Sequence, residues 1–354
     1  MTGAFLRVDL GRIVANLQTL RAHVAPAEVL LVVKDDAYGH GVEAVARAAF
    51  ANGQERIGSI DVATCLRVRA AVPQATVLAW ATSSAVEVGE ALDAGIALGV
   101  GDSDYLELVA ANARARGVVA DVHLKIDTGL HRNGVRPEEW PAFVARAAQL
   151  ERDGAIAVLG IWSHISEASD EDDDDARAAF DRAVDIAREA GIDRVTRHLA
   201  ASAAGFARPE FRMDLVRFGA FAYGVRSAGG ADVPGIEPAA QLVASVIETG
   251  GDDVVVGIGS LDGLPSTLGG RVSVGTPAGA RMLRHVDLAS SRVAAWPGAA
   301  VGDEVALFGP GLLGESSATT LAEAIDTVGE EILVRVSPLI PRVYVDPVIG
   351  PGSR

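Results

Sequence analysis

Val29-Leu30-Leu31-Val32-Val33-Lys34-Asp35-Asp36-Ala37-Tyr38-Gly39-His40-Gly41 is the most informative stretch of the chain. Residues 29–33 form a short apolar run, β-branched in part and cut off by charge and glycine, which reads as a buried strand. A lysine at the carboxyl end of such a strand points into whatever site the strand ends surround. The sheet holds its stem, and a partly desolvated amine in that position is suited to condense with an aldehyde. Taken alone, the same ending also fits an ordinary solvent-facing lysine.

Outward from this strand, strands and helices alternate. Residues 11–24 carry Ile13, Val14, Leu17, Leu20 and Val24 at helical spacing. Strand ends are expected near Lys34, Asp61, Trp80, Val100, Asp127, His164, Leu199 and Gly219. Helical patterns fall over 41–51, 63–71, 84–94, 105–116, 137–151, 175–190 and 201–207. Eight strands with seven intervening helices over about 200 residues is the count of an α/β fold of the (β/α)8 barrel type. Sites in such barrels lie at the carboxyl ends of the strands. Lys34, Asp61, Asp127, His164, Ser202 and Arg217 all sit there and would share one mouth.

After Gly224 the pattern changes. Ser227-Ala228-Gly229-Gly230 reads as a linker. Short strands separated by Gly/Pro turns are expected over 242–247, 254–258, 271–274, 305–308 and 332–336, with one helix near 320–328. The division expected is a barrel over 9–226 and a C-terminal, mostly β domain over 227–354, joined by residues 1–8.

The chain has 354 residues, 49% of them hydrophobic and 22% charged, and a formal net charge of −16. Its length fits a barrel plus a second domain. The acidic balance argues against nucleic acid and anionic membranes as partners. One cysteine, Cys65, rules out an intrachain disulfide framework. No basic stretch followed by an apolar core opens the chain, and no apolar run reaches the ~18 residues that span a bilayer. A cytoplasmic enzyme is the expectation. The acidic run 167–175 reads as a solvated loop, and no metal site is expected from it.

The stretch around Lys34 resembles the cofactor-lysine motif of the alanine racemases, pyridoxal-phosphate enzymes built on a barrel. The resemblance continues in order over essentially the whole chain. Lys125-Ile126-Asp127-Thr128-Gly129-Leu130-His131-Arg132-Asn133-Gly134 is similar to the family's segment with an arginine beside the cofactor. Ser163-His164 resembles its ring-stacking histidine. Ala200-Ala201-Ser202-Ala203 and Arg217-Phe218-Gly219-Ala220 resemble its phosphate and pyridine segments. Pro341-Arg342-Val343-Tyr344 resembles its terminal phosphate tyrosine.

The resemblance implies roles. Lys34 carries pyridoxal phosphate. Tyr38, Ser202, Gly219, Ala220 and Tyr344 bind its phosphate, consistent with barrel phosphate sites near the last strands. His164 stacks on the ring and hydrogen-bonds Arg217, which faces the pyridine nitrogen. A guanidinium keeps its proton at working pH, so it donates to that nitrogen without protonating it. The ring is then a weaker electron sink, which favours isomerisation over transamination. Arg132 lies near the cofactor's phenolic oxygen and the substrate carboxylate, where a planar fork suits an anion. In the family a lysine corresponding to Lys125 is sometimes carbamylated. The resemblance also implies a head-to-tail homodimer acting at Cα of an amino acid.

The reacting half departs from the pattern. The family's second base is a tyrosine from the partner's β domain, in a Gly-Tyr-Ala-Asp-Gly-like segment. Here the segment reads Gly259-Ser260-Leu261-Asp262-Gly263. Of the four tyrosines, Tyr38, Tyr223 and Tyr344 match other family positions and Tyr105 lies in the barrel half. The family's Met-Asp pair for the substrate carboxylate reads Val286-Asp287, preceded by His285. Asp35 replaces a usual alanine. Serine is a poor general base unaided, whereas imidazoles titrate near neutrality, so His285 is the candidate for the second face. Substrate contacts are expected from Arg132, Leu130, Val286 and Asp287. The first reading is a racemase or epimerase with an altered second base. A lyase or transferase on the same scaffold (decarboxylase, aldolase or dehydratase) and a non-catalytic cofactor-binding protein stand as alternatives.

Overall fold

The computed structural model describes residues 3–345. It opens with strand β1 (Phe5–Asp9), followed by β2 (Glu28–Val32), β3 (Arg56–Ser59), β4 (Thr76–Ala79), β5 (Ala97–Val100), β6 (Ala120–Lys125), β7 (Ile156–Trp162), β8 (Thr196–His198) and β9 (Leu215–Phe218). Strands β2 to β9 form one parallel sheet in the order β8-β7-β6-β5-β4-β3-β2-β9. The ends meet: Asp214 N donates to Arg197 O at 3.1 Å and Arg217 N to Ala200 O at 3.2 Å. The Arg197 guanidinium adds a two-pronged bond to the Asp214 carboxylate at 2.9 Å on each prong. The result is a closed (β/α)8 barrel. Its strands are short and mostly buried, as parallel strands covered on both faces must be.

The intervening helices start where capping residues stand. Asp61 accepts from Thr64 N, Asp102 from Tyr105 N, and Ser84 forms a capping box with Glu87. The acidic run corrects the expectation of a loop. Residues from Asp170 onward form the first turns of helix Asp170–Glu189, capped by Ser169. Carboxylates are favoured there by the exposed N–H groups and dipole of a helix start, so a block of like charge folds instead of staying loose.

The chain divides into two compact units. One is Leu20–Lys34 with Ala49–Gly219. The other gathers the described residues of Met1–Thr19, Asp35–Ala48 and Ala220–Arg354. The second unit is built on β1, β10 (Ala240–Gly250), β11 (Asp253–Val256), β12 (Ser273–Thr276), β13 (Gly279–Val286), β14 (Ser291–Ala294), β15 (Glu304–Phe308) and β16 (Arg342–Val345). Their order is β11-β14-β13-β12-β15-β10-β1-β16. As expected, the N-terminal segment returns to this sheet: Leu6 faces Leu242 antiparallel and Arg342 parallel.

Two expectations fail here. The segment 332–336 is not a strand but part of helix Gly329–Val334, with Glu330 and Glu331 in its first turn and Ile332 and Leu333 buried. A run of three apolar residues does not by itself distinguish the two. The helix expected over 320–328 is shorter and earlier, Ala318–Glu323, started by Ser317. Strands β13 and β14 were not foreseen, because their exposed positions carry arginines and a histidine that hide the alternation.

Candidate active site

Lys34 follows β2 directly and is half-buried. On the neighbouring strand β9, Arg217 stands opposite Leu30 in register. Arg217 is 5% exposed and is the most heavily bonded side chain of the unit. Its Nη1 donates to His198 O at 3.0 Å and to His198 Nδ1 at 3.1 Å. Its Nη2 donates to Ser163 O at 2.7 Å, Leu199 O at 2.9 Å and His164 Nδ1 at 3.2 Å. Nε makes no hydrogen bond among the described residues. The guanidinium is thus clamped through both Nη atoms, with one N–H uncommitted.

Lys125 ends β6, is 5% exposed, and lies 4.5 Å from the centroid of the Trp162 ring. Burial first, then the guanidinium groups of Arg132 and Arg217, bring its amine down to about 8, with Asp127 opposing. Arg217 is brought down to about 9 by burial and by Arg132. His164, after β7, is lowered to about 3 by burial and then by Arg217, Arg132, Lys125 and Lys34. These groups depress one another, so their shared field is positive and favours an anion.

The nearest acid, Asp127, is already committed. It is 4% exposed. Its carboxylate accepts from Gly129 N at 3.1 Å and His131 N at 3.0 Å, and meets His131 Nδ1 at 3.0 Å. Burial pushes its pKa up, but the His131 and Gly129 hydrogen bonds outweigh that and leave it lowered. Those bonds shape the loop that carries Leu130 and Arg132. Its base is closed by the Ile126–Val135 bridge and by Thr128 Oγ1 meeting Ser163 Oγ at 2.8 Å. Ser202 begins helix Ser202–Ala207 after β8, and Gly219 N donates to Ser202 Oγ at 3.4 Å. The structure therefore gathers Lys34, Lys125, Arg132, His164 and Arg217 in one electrostatic group, and Ser202 with Gly219.

In the second unit, residues 35–38 form a left-handed turn. Asp35, Asp36, Ala37 and Tyr38 have φ of 55°, 55°, 56° and 53°. Asp tolerates that region better than most residues, whereas Ala37 and Tyr38 hold it at a cost of roughly 1–2 kcal/mol each. Compensation comes from Gly39 N to Asp35 O at 2.8 Å, Gly41 N to Asp36 O at 2.9 Å, and His40 Nδ1 against the carbonyls of Ala37 and Tyr38, both at 2.9 Å. The Tyr38 ring sits 4.9 Å from that of Tyr223. Gly41 has φ of +90°, and a Cβ on it would collide with the Tyr344 hydroxyl. So Tyr38 and Tyr344 both border this turn, and Ala220 opens the turn Ala220–Tyr223.

The residues expected at the second face also come together. Ser260 N donates to Asp287 O at 2.9 Å, and Leu261 N to Leu288 O at 2.9 Å. His285, in β13, places Nε2 3.2 Å from Asp287 Oδ1, with its side chain 63% exposed. Val286 is buried beside them.

His123, His198 and Trp162 were missed in the sequence. His123 and His198 are buried, with His123 Nδ1 2.8 Å from His198 Nε2. Trp162 stacks on His198 at 5.7 Å and 6°. The available signal was spacing: His123 precedes Lys125 by two, so the two share a strand face.

Comparison with known proteins places this geometry. The family model described as "Alanine racemase, N-terminal domain" matches residues 8–227. The alanine racemase of Thermobifida fusca is 36% identical over 370 residues, covering 96% of this chain and 97% of that protein. The alanine racemase of Beutenbergia cavernae is 37% identical over 366 residues, with 96% and 97% covered. Among solved structures, the alanine racemase of D-cycloserine-producing Streptomyces lavendulae superposes with a TM-score of 0.92 at 31% identity, covering 98% of each chain.

Proposed function

The chain belongs to the alanine racemase family, and from that premise we propose that it binds pyridoxal phosphate on Lys34 and moves the Cα proton of a small amino acid with an altered second base. It is an isomerase of the racemase kind. The observation that carries the cofactor reading is the clamp on Arg217. A ring nitrogen needs one donor that will not give up its proton. Arg217 has both Nη atoms engaged and its Nε–H uncommitted among the described residues. The positive field of Lys34, Lys125, Arg132 and Arg217 supports an anionic ligand in the same place.

When bound, pyridoxal phosphate supplies an electron sink that acidifies the substrate Cα–H. Lys34 anchors it and holds or returns the proton on one face of Cα. Arg217 would offer its Nε–H to the ring nitrogen without giving up the proton, which would keep the sink moderate and the proton local. His164 is a neutral imidazole for stacking, because burial and four cations hold its pKa far below neutrality. Arg132 receives the substrate carboxylate, with Leu130 beside it. Ser202 and Gly219 would hold the phosphate, and the family resemblance assigns Ala220 and the phenols of Tyr38 and Tyr344 to it as well. A phenol kept protonated by burial, as Tyr38 is, donates to phosphate.

The second face belongs to Ser260, His285, Val286 and Asp287 of a partner copy in a head-to-tail homodimer. His285 is the base, because Ser260 stands where the family resemblance expects a phenol. The His285–Asp287 pair supports this: a carboxylate on one ring nitrogen orients the imidazole and leaves the other nitrogen to face the substrate. Borohydride reduction of the purified chain followed by peptide mapping tests the proposal. The cofactor is expected on Lys34, and label on another lysine would overturn the site.

A further inference from the structure

We infer that His123 is a positioning residue for Arg217, acting through His198 as the far end of a buried Arg217–His198–His123 hydrogen-bond chain that admits only one arrangement of protons. The inference deepens the proposed function and rests on it for its catalytic part. The proton arrangement itself does not.

A guanidinium has five N–H donors and no acceptor. Arg217 Nη1 lies 3.1 Å from His198 Nδ1, so that nitrogen must accept. Neutral His198 therefore carries its proton on Nε2. Nε2 lies 2.8 Å from His123 Nδ1, which must accept in turn, so His123 also carries its proton on Nε2. Reversing the chain at any point turns a donor against the guanidinium. A proton added to His198 Nδ1 faces the guanidinium, and one added to His123 Nδ1 faces the His198 Nε2–H. The charged groups acting on the pair, Arg56 and Arg217, are both positive and oppose such a proton. Burial is the larger cause, and it takes His123 down to about 4.

The fold makes specific room for this chain. Gly160 pairs with His123 in the register of β6 and β7, beside a bulge at Val122/His123. A Cβ at Gly160 would run into the His123 ring. The other face of His198 is covered by Trp162, stacked within 6° of parallel. His198 is thus held in plane by Trp162 and in rotation by His123, and Arg217 Nη1 is directed by the acceptor this fixes. Without His123, the His198 ring loses its second anchor and can turn Nδ1 away from Arg217.

Two measurements test this. Nitrogen-15 NMR of the histidine-labelled full chain, with and without added pyridoxal phosphate, reads the tautomers directly. Both rings are expected as neutral Nε2–H forms from pH 6 to 8, assigned by comparison with the His123→Leu variant. An Nδ1–H form or a charged ring on either residue overturns the proton arrangement, whatever the enzyme's activity. Kinetics of the loaded enzyme test the positioning role. A loosened His198 lets Arg217 shift from its place, so His123→Leu should lower kcat by up to about 100-fold. KM should hold near its original value, and the absorbance of the bound cofactor should shift towards that of an Arg217→Lys variant. His123→Gln, whose amide oxygen can accept from His198 Nε2–H, should recover part of the loss. Gly160→Ala, which keeps the imidazole but whose Cβ would push its Nδ1 off the His198 bond, should move kcat and absorbance the same way. A His123→Leu enzyme with unchanged kcat and absorbance overturns the role. If wild type binds no cofactor, the proposed function fails while the NMR result stands.

Discussion

A hydroxyl at residue 260 cannot do what a phenol does. Its own pKa lies far above neutrality, and the described bonds engage only the Ser260 backbone. A positioned acid or base contributes about 10²–10⁴-fold, or about 3–5 kcal/mol of barrier. His285, with its side chain 63% exposed, replaces the phenol only in part, so alanine racemisation by the unmodified chain should be slow by up to that range, and Ser260→Tyr should recover much of it. The turn can accept the larger side chain. Its backbone is tied to Asp287 and Leu288, and the next residue, Leu261, is 72% exposed. Racemisation rates of both proteins check the claim, and a variant no faster than the parent contradicts it. His285→Ala should abolish the residual rate, and a variant that keeps it contradicts the second-face role given to His285. At this scale the sequence exposed Lys34, Arg132, His164 and Arg217, because each ends a strand or follows one. His123 and His198 were hidden. A histidine inside a strand carries no pattern that separates a buried hydrogen-bond chain from any other satisfied core imidazole.

The element that does most to shape the Lys34 motif is the left-handed turn 35–38. Its strain explains the residue types. Asp35 and Asp36 tolerate positive φ, Asp36 Oδ1 also accepts from Val42 N at 3.1 Å, and Gly39 and Gly41 take the next two positive values. Asp35 is exposed, so its backbone conformation can be tested without disturbing packing. Asp35→Gly should keep or raise stability by up to about 1 kcal/mol. Asp35→Val, β-branched at φ of 55°, should lower it by roughly 1–2 kcal/mol. Denaturant midpoints of the two variants measure the difference, and equal midpoints would mean that the turn is not left-handed. The sequence marked where β2 stopped but not this turn, because left-handed geometry in four successive non-glycine residues has no compositional signature. The barrel strands were legible because each is a short apolar run ended by a polar residue. In the second unit, β13 was not, since Arg281, Arg284 and His285 occupy its outward positions and break the apolar alternation.

For the molecule as a whole, the buried histidines make acid the sensitive direction. His40 and His123 are lowered to about 4 and His164 to about 3, in each case by burial first. Unfolded imidazoles take up protons near 6.5, so below that pH the unfolded chain binds more protons than the folded one. Stability is complete above about pH 6.5 and falls as pH drops towards 4, by up to about 1.4 kcal/mol per pH unit for each histidine. Asp127 adds a later loss. Its folded pKa is depressed, so its contribution is present above its unfolded value near 3.9 and disappears only as pH falls below that. Denaturant unfolding of the cofactor-free chain across this range should show the steep part between pH 6.5 and 4. A flat curve there would mean the imidazoles are not buried as described.

The barrel and the β-rich second unit were largely legible from the sequence, since alternation of strand and helix survives one misread segment. The division of the chain was less so, because residues 35–48 belong with the second unit by contact while lying between β2 and β3 in sequence. Only three-dimensional packing reveals that. The central claim is that this chain moves a proton at the Cα of an amino acid using Lys34 on one face and a rebuilt group on the other. The most direct measurement is proton and carbon NMR of L- and D-amino acids incubated with the pyridoxal-phosphate-loaded enzyme in deuterium oxide. Deuterium at Cα with inversion is expected for at least one amino acid, and slow exchange for alanine. Loss of carbon dioxide in place of inversion, or no exchange with any substrate while cofactor is bound to Lys34, would contradict it.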